Sequence, residues 1–227
     1  MPNATYIKSM FNDISPRYDL LNDLLSAGTH RLWKNKLVQL ALTLKPKSVL
    51  DCATGTGDIA FGFESKNIER IIGCDFSPQM IEYADRRKTK KNSSVTFQVE
   101  DVSNLPFADG EFDVATMSFG IRNVENLELS LKELSRVSHH LLILEFGTPQ
   151  NTFWKNIYFS SLKMYFPLLA LLTKRKDAYD YLIKSSETFP SGHQFCSLIK
   201  KHTQFTQVQY TPLFGGIAYI YQATRST

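Results

Sequence analysis

The chain has 227 residues, enough for one domain with a full core, and 43% hydrophobic against 21% charged residues is a globular composition, neither disordered nor fibrous. Its net charge of +4 is unevenly spread: residues 1–50 carry 7 basic against 3 acidic side chains, residues 51–150 carry 10 against 16, and residues 151–227 carry 9 against 3. Three scattered cysteines, Cys52, Cys74 and Cys196, form no C-x-x-C pair and no His/Cys cluster, which argues for a reducing compartment and against a disulfide framework or zinc site.

Residues 5–27 mix aromatic and small polar side chains, and Pro16 breaks any helix across them. No long apolar core marks a signal peptide at Met1–Phe11. A helix is predicted over Thr29–Leu44, with Trp33, Leu37, Leu40, Ala41 and Leu44 at helical spacing and Thr29 as its cap. Ser48–Ala53 reads as a buried strand that enters a small-residue turn and then a helix near Asp58. Arg70–Asp75 is a second strand, and Ser77-Pro78 opens a helix to about Lys88, followed by a polar connection through Asn92. Further strands are expected at Val95–Val99, Phe112–Phe119 and Leu141–Phe146. A helix is expected from about Glu125 to Val137, with His139 and His140 as exposed turn residues. Asn151–Leu172 is a long aromatic helix that Pro167 should bend or end. Its most apolar run, Met164–Thr173, is too short to span a bilayer, so the expectation is a soluble, cytoplasmic protein that meets a membrane only from its surface. Ser191–His202 is a further helix, and Gln207–Leu213 with Ile217–Thr224, joined by Phe214-Gly215-Gly216, reads as a terminal hairpin. Strand–helix alternation at this pitch predicts an α/β, doubly wound, Rossmann-like fold, its sheet mostly parallel with an antiparallel carboxyl-terminal edge.

Chemistry concentrates at Val49-Leu50-Asp51-Cys52-Ala53-Thr54-Gly55-Thr56-Gly57-Asp58. Gly55 and Gly57 let the backbone turn sharply and approach a ligand closely, and the following helix turns its free amides toward that ligand. Such a turn suits a nucleotide-like ligand across the carboxyl end of the first strand. Gly55, Gly57 and Ala60 also satisfy the G-x-G-x-x-A dinucleotide pattern, so an NAD oxidoreductase is the competing reading and a plain connecting turn the simplest one. Asp51 and Asp58 place two carboxylates where a pyrophosphate would sit, and like charges there oppose binding. S-adenosylmethionine has no phosphate, and its amino and sulfonium groups are cationic. A five-strand α/β core closed by a hairpin is, moreover, the architecture of class I S-adenosylmethionine-dependent methyltransferases, whereas dinucleotide dehydrogenases build two mononucleotide halves. Asp75, 18 residues beyond Gly57, is placed to accept hydrogen bonds from ribose hydroxyls or to cap the next helix. Asp101-Val102 is placed to read an adenine edge, though a plain loop Asp explains it nearly as well; Phe76 and Met80 either flank adenine or pack in the core. Ser118 closes the fourth strand, facing the crevice or simply ending the strand.

Phe11-Asn12-Asp13-Ile14-Ser15-Pro16-Arg17-Tyr18-Asp19-Leu20-Leu21-Asn22-Asp23-Leu24, Gly28-Thr29-His30-Arg31-Leu32-Trp33-Lys34 and Met117-Ser118-Phe119-Gly120-Ile121-Arg122-Asn123-Val124 resemble signatures of the ubiquinone/menaquinone biosynthesis C-methyltransferases, the UbiE/MenG family. So do Leu144-Glu145-Phe146, Ala178-Tyr179-Asp180-Tyr181-Leu182 and Gly215-Gly216-Ile217. The resemblance implies methyl transfer from S-adenosylmethionine to a ring carbon of a prenylated quinol, either demethylmenaquinol or a methoxy-benzoquinol. It implies cofactor contacts at Thr56, Asp75, Asp101, Val102 and Ser118, to which the turn adds Asp51, Gly55 and Gly57. A sulfonium leaving group needs no metal, but a ring carbon becomes nucleophilic only when the neighbouring hydroxyl loses its proton. Arg122 and Asn123, just beyond the fourth strand, are expected at that step with Tyr18 from an amino-terminal lid. A guanidinium is too basic to accept the proton, so it would stabilise the phenolate. The alternative roles are an Arg122 pairing with Asp19 or Asp23, and a Tyr18 packed on the lid. Two departures stand out: Thr54 where the family commonly has a second glycine, and no Lys-Pro-Gly-Gly turn before the fifth strand. The expected layout is one domain over residues 1–227: a helical lid to residue 45, a cofactor-binding core over 46–150, and a helical insertion with carboxyl-terminal strands over 151–227. The aromatic helix with Lys174-Arg175-Lys176 behind it is the candidate for peripheral membrane contact and the prenyl tail, or else a core or dimer helix. No nucleic-acid partner is implied, and a homodimer is one option for assembly.

Overall fold

Alternation along the strands sorts the side chains into two layers around one sheet. The computed structural model describes residues 28–64, 66–173 and 184–225. Its elements run α1 (Thr29–Leu42), β1 (Ser48–Cys52), α2 (Asp58–Gly62), β2 (Arg70–Asp75), α3 (Pro78–Lys91), β3 (Thr96–Val99), β4 (Phe112–Ser118), α4 (Leu127–Val137), β5 (Ser138–Phe146), α5 (Thr152–Thr173), α6 (His193–His202), β6 (Gln207–Leu213) and β7 (Ala218–Thr224). The sheet order is β3-β2-β1-β4-β5-β7-β6. Strands β1 to β5 pair in parallel, and β7 enters antiparallel between β5 and β6. The expected doubly wound architecture is therefore present, with β6 outermost and β7 as its antiparallel neighbour.

One face of the sheet presents Leu50, Cys52, Ile72, Cys74, Met117 and Ile143 to Leu131 and Leu134 of α4 and to Phe195 and Ile199 of α6. The opposite face presents Val49, Ile71, Val114, Leu142 and Leu144 to Trp33, Leu37 and Ala41 of α1, Ile59 and Ala60 of α2, and Ile81 and Ala84 of α3. Helices therefore cover both faces, and the central strands β1, β4 and β5 are buried on both sides, whereas the edge strands β3 and β6 keep exposed residues.

Several boundaries differ from the sequence reading for local reasons. Gly28, at φ 76°, is the cap of α1, and Thr29 lies inside the helix. Helix α3 runs on to Lys91 because Asn92 adopts a left-handed φ of 51° that closes it, with Lys88, Lys90 and Lys91 favourably placed at the carboxyl end of its dipole. At its start the Ser77 hydroxyl accepts from the Met80 amide at 3.3 Å, as the Ser-Pro pair predicted. His139 and His140 are strand residues, not turn residues: α4 passes straight into β5, and His140 Nδ1 meets Thr224 Oγ1 of β7 at 3.0 Å. The junction is held without glycine. Arg136 donates to the carbonyls of Leu105 and Phe107 at 2.9 and 2.7 Å, and Ser138 Oγ donates to the Leu134 carbonyl at 2.7 Å. Pro167 does not end α5, whose 22 residues continue past it. A proline costs the helix one backbone bond, which a long helix can carry. Among the described residues no helix is long and apolar enough to cross a membrane.

Two left-handed glycines give a matched test. A Cβ at Gly28 (φ +76°) would meet nothing within 4 Å, whereas at Gly57 (φ +90°) it would lie 2.7 Å from Phe97 and 2.8 Å from Phe61. Gly28→Ala is expected to cost the backbone term alone, about 1–2 kcal/mol, and Gly57→Ala clearly more. Urea unfolding of both variants measures the difference, and equal costs would mean the aromatic pair yields freely.

Candidate active site

The site forms where two neighbouring strands leave the sheet. After β1, Ala53 takes a left-handed φ of 49°, and after β4 Phe119 takes φ 57°, a conformation rare for residues with a Cβ. Both are pinned: the Thr54 amide donates to the Cys74 carbonyl at 2.9 Å, and the Phe119 amide to the Leu144 carbonyl at 2.8 Å. The two exits touch through Gly120, where an added Cβ would lie 2.5 Å from Ala53 Cβ and 2.8 Å from Met117 Cε. Such strain, held by surrounding structure, gathers at functional sites.

Between the exits lies a cavity of about 440 Å³, the size of a small-molecule site. Gly55, Asp75, Asp101, Val102, Ser118 and Asn123 all line it, so six of the residues singled out from sequence meet in one place. Phe76, Met80, Val124 and Leu129 supply apolar wall. Its described lining includes four carboxylates, Asp75, Glu100, Asp101 and Glu125, and no Lys, Arg or His. Glu100 and Glu125 were not picked out from sequence, where nothing distinguishes them from other surface acids.

Asp75 is buried at the end of β2, its Oδ2 accepting from the Gly55 amide at 2.9 Å and its Oδ1 from the Ser77 amide at 3.0 Å. Burial pushes its carboxyl up to about 6, against those two amides. It does not cap α3, whose cap is Ser77; it ties the glycine turn to that cap residue, and each oxygen keeps a further lone pair with which a hydroxyl could be bound. Asp101 braces its own loop, accepting from the Ser103 amide at 2.8 Å. Ser118 Oγ is buried and finds no partner among the described residues. A hydroxyl left so in a polar, carboxylate-rimmed cavity fits a polar ligand that completes its bonding.

Three expected cofactor residues do not line the cavity: Asp51, Thr56 and Gly57. Asp51 alternates with Leu50 and Cys52 and so points to the α1 side of the sheet, away from Cys74 and Met117 on the cavity side. There Thr54 and Thr116 hydroxyls donate to it at 2.6 and 2.8 Å, and burial pushes its carboxyl up to about 7, against those hydroxyls and Lys34. Thr56 is turned to Arg87, whose Nη1 donates to its carbonyl and hydroxyl at 2.8 Å each. Gly57 packs on Phe61 and Phe97. Asp58 also faces away, paired with Lys34 at 2.9 Å and Arg87 at 2.8 Å. Burial opposes its ionisation, but those two cations outweigh it and hold the carboxyl down at about 2. The acidic character inferred from Asp51 and Asp58 is real, but other residues carry it.

Arg122 sits in a short 3-10 turn, Ile121–Asn123, directly after the β4 exit. Its guanidinium is buried and paired with Glu145, a carboxylate with no exposed surface at the end of β5. Glu145, seen in sequence only within the Leu144-Glu145-Phe146 match, is thus a partner of Arg122 that the sequence reading did not assign. The Phe119 carbonyl accepts from Arg122 Nη1 at 3.4 Å and from Asn123 Nδ2 at 3.3 Å. The Phe146 ring lies 5.4 Å from the guanidinium carbon. Tyr158 of α5 adds a hydroxyl in the same field, its pKa pushed up to about 12 by burial against Arg122. Tyr18, Asp19 and Asp23 lie outside the described residues, as do Lys174, Arg175 and Lys176.

A seven-strand sheet in this order, with an acidic cavity at the ends of β1, β2 and β4, is that of a class I S-adenosylmethionine-dependent methyltransferase. Solved structures share the fold. A methyltransferase of Thermotoga maritima, described as a possible histamine N-methyltransferase, superposes with a TM-score of 0.66 at 20% identity over 96% of this chain and 99% of that one. Magnesium protoporphyrin IX methyltransferase of Synechocystis with bound S-adenosylmethionine gives 0.66 at 14% identity over 100% and 98%. The model of the ubiE/COQ5 methyltransferase family matches residues 2–225, and the chain belongs to that family. A ubiquinone/menaquinone biosynthesis C-methyltransferase UbiE of Bdellovibrio bacteriovorus is 38% identical, covering 98% of this chain and 97% of its own. A demethylmenaquinone methyltransferase of Bacteroides fragilis is 38% identical over 96% and 92%. The cofactor is S-adenosylmethionine, as the sequence led one to expect.

The buried acids also set a pH dependence. Asp51 and Asp75 hold protons more tightly in the fold, at about 7 and about 6, than at their ordinary 3.8. They therefore favour the folded state below 3.8 and withdraw that support as pH rises through those two values. Asp51→Asn is expected to flatten the fall in stability between about pH 4 and 7, read from denaturant midpoints at a series of pH values. A slope identical to wild type would remove Asp51 as its source.

Proposed function

We propose that this chain methylates a ring carbon of a prenylated quinol, converting demethylmenaquinol to menaquinol. One observation carries the chemistry: Arg122 does not itself line the acidic cavity, but it stands between the lining residues Gly120 and Asn123 as a buried guanidinium whose Nε finds no partner among the described residues. The acceptor is supported by the relative named demethylmenaquinone methyltransferase. The relatives named for both ubiquinone and menaquinone biosynthesis favour a second reading, the methoxy-benzoquinol of the ubiquinone branch.

Asp75 would hold the ribose hydroxyls, Asp101 and the Val102 amide the adenine edge, and Ser118 a further polar group. When bound, the cofactor supplies a methyl group on a sulfonium, already an activated leaving group. The protein's remaining task is to raise the acceptor's nucleophilicity and hold it in line. Arg122 stabilises the quinol oxygen as its proton passes to a water molecule, an electrostatic role for a guanidinium that is itself buried. Asn123, on the cavity wall one residue away, orients the ring, and Tyr158, protonated at neutral pH, adds a donor on the α5 side. Tyr18 belongs to the same network as a proposal from sequence.

Helix α5 offers a face for the prenyl tail. Phe153, Ile157 and Met164 are 75%, 42% and 76% exposed. Trp154 beside them donates from Nε1 to the carbonyl of Phe214, itself an exposed aromatic. We infer that this face meets the membrane surface. Flotation with liposomes, with and without anionic lipid, is expected to carry the protein upward; a dimer by sedimentation without flotation would assign the face to a second copy instead.

Arg122→Ala is expected to keep cofactor affinity and lose about a hundredfold or more in turnover. Asp75→Ala should weaken cofactor binding, read by calorimetry. Labelled S-adenosylmethionine with demethylmenaquinol and the ubiquinone precursor as competing acceptors tests the reaction, and label in neither product overturns the proposal.

A further inference from the structure

Glu145 grips residue 122 at two points. Its Oε1 accepts from the Arg122 guanidinium and from the Phe146 amide at 2.8 Å, and its Oε2 accepts from the backbone amide of Arg122 itself at 3.3 Å. One fully buried carboxylate therefore fixes both where the main chain of Arg122 lies and which nitrogen of its side chain is occupied. The Phe119 carbonyl, aimed by the left-handed φ of 57°, supports Nη1 from the other side, and the Phe146 ring packs near the guanidinium carbon. These contacts gather at Nη1, while buried Nε stays without a partner among the described residues.

Stability is a poor reason for this arrangement. A buried ion pair gains little over a well-packed apolar pair of the same volume. A buried N–H left unmade costs free energy, so a pair serving only the fold would be expected to satisfy it. A guanidinium held rigidly at one nitrogen, with a buried N–H left unpaired at another among the described residues, keeps a donor in reserve for an oxyanion.

We propose that Glu145 is a positioning residue, which clamps the main chain and one nitrogen of Arg122 so that the free N–H edge stands ready for negative charge on the acceptor oxygen. The inference rests on the role assigned to Arg122 above. Glu145 does not line the cavity and acts only through Arg122.

The test is a kinetic cycle on the full chain with S-adenosylmethionine and demethylmenaquinol. Glu145→Gln keeps the size of the side chain but not its charge. It is expected to lower kcat about a hundredfold, with cofactor Kd and acceptor KM unchanged, a split that a merely structural role would not produce. In an Arg122→Ala background the same substitution should cost no further turnover, because the two residues act as one unit. Full turnover by Arg122→Ala alone would defeat the catalytic reading of Arg122. Lost turnover there, with Glu145→Gln at wild-type kcat or with losses that multiply in the double variant, would defeat the positioning inference and leave Arg122 standing. If Glu145→Gln no longer binds cofactor, Glu145→Asp decides: it keeps the charge and withdraws it by one methylene. Reduced kcat at unchanged cofactor Kd supports the inference, and wild-type kcat overturns it.

Discussion

The change of direction between β1 and β4 is the constraint on which the carboxyl edge depends. These strands are neighbours in the sheet, yet the chain leaves β1 for α2 on one face and β4 for α4 on the other. Loops that part in opposite directions leave a crevice between them, the topological switch point where α/β sheets bind ligands. The left-handed Ala53 and Phe119 are the local form of that divergence, and Gly120 is the residue small enough to let them meet. Remove the divergence and Asp75, Asp101, Ser118 and Asn123 have no common space to line.

Charge in this protein is sorted by burial and partner rather than by count. Asp58 is exported to Lys34 and Arg87, and Asp51 is enclosed by two threonine hydroxyls on the α1 side. The carboxylates left facing the cavity come from the ends of β2 and β3 and from the segment after β4. An unneutralised acidic lining discourages a pyrophosphate and favours a ligand whose amino and sulfonium groups are cationic. Arg122, one residue from the cavity-lining Asn123, is itself matched to Glu145, so its charge leaves the acidic lining unneutralised.

Period and spacing made much of this readable in the chain itself. Strand–helix alternation, the Ser77-Pro78 start of α3, the glycine turn and the Asp75 spacing predicted the sheet, the end of it that carries the cavity and part of the lining. The signature residues from Phe11 to Val124 pointed to the family to which the chain belongs. These signals are local, since each depends on residues within about one element of one another. Other features depend on which face a strand turns outward or on contacts far apart in sequence. The exclusion of Asp51, the diversion of Thr56 to Arg87 across 31 positions, and the bond between residues 122 and 145 are of that kind. So is the passage of α4 directly into β5, secured by Arg136 reaching back to Leu105 and Phe107. The sequence by itself determined the elements, the ligand end of the sheet and the family. Only the tertiary structure decided which carboxylates face the cavity and what holds Arg122, because burial and pairing are properties of neighbours in space.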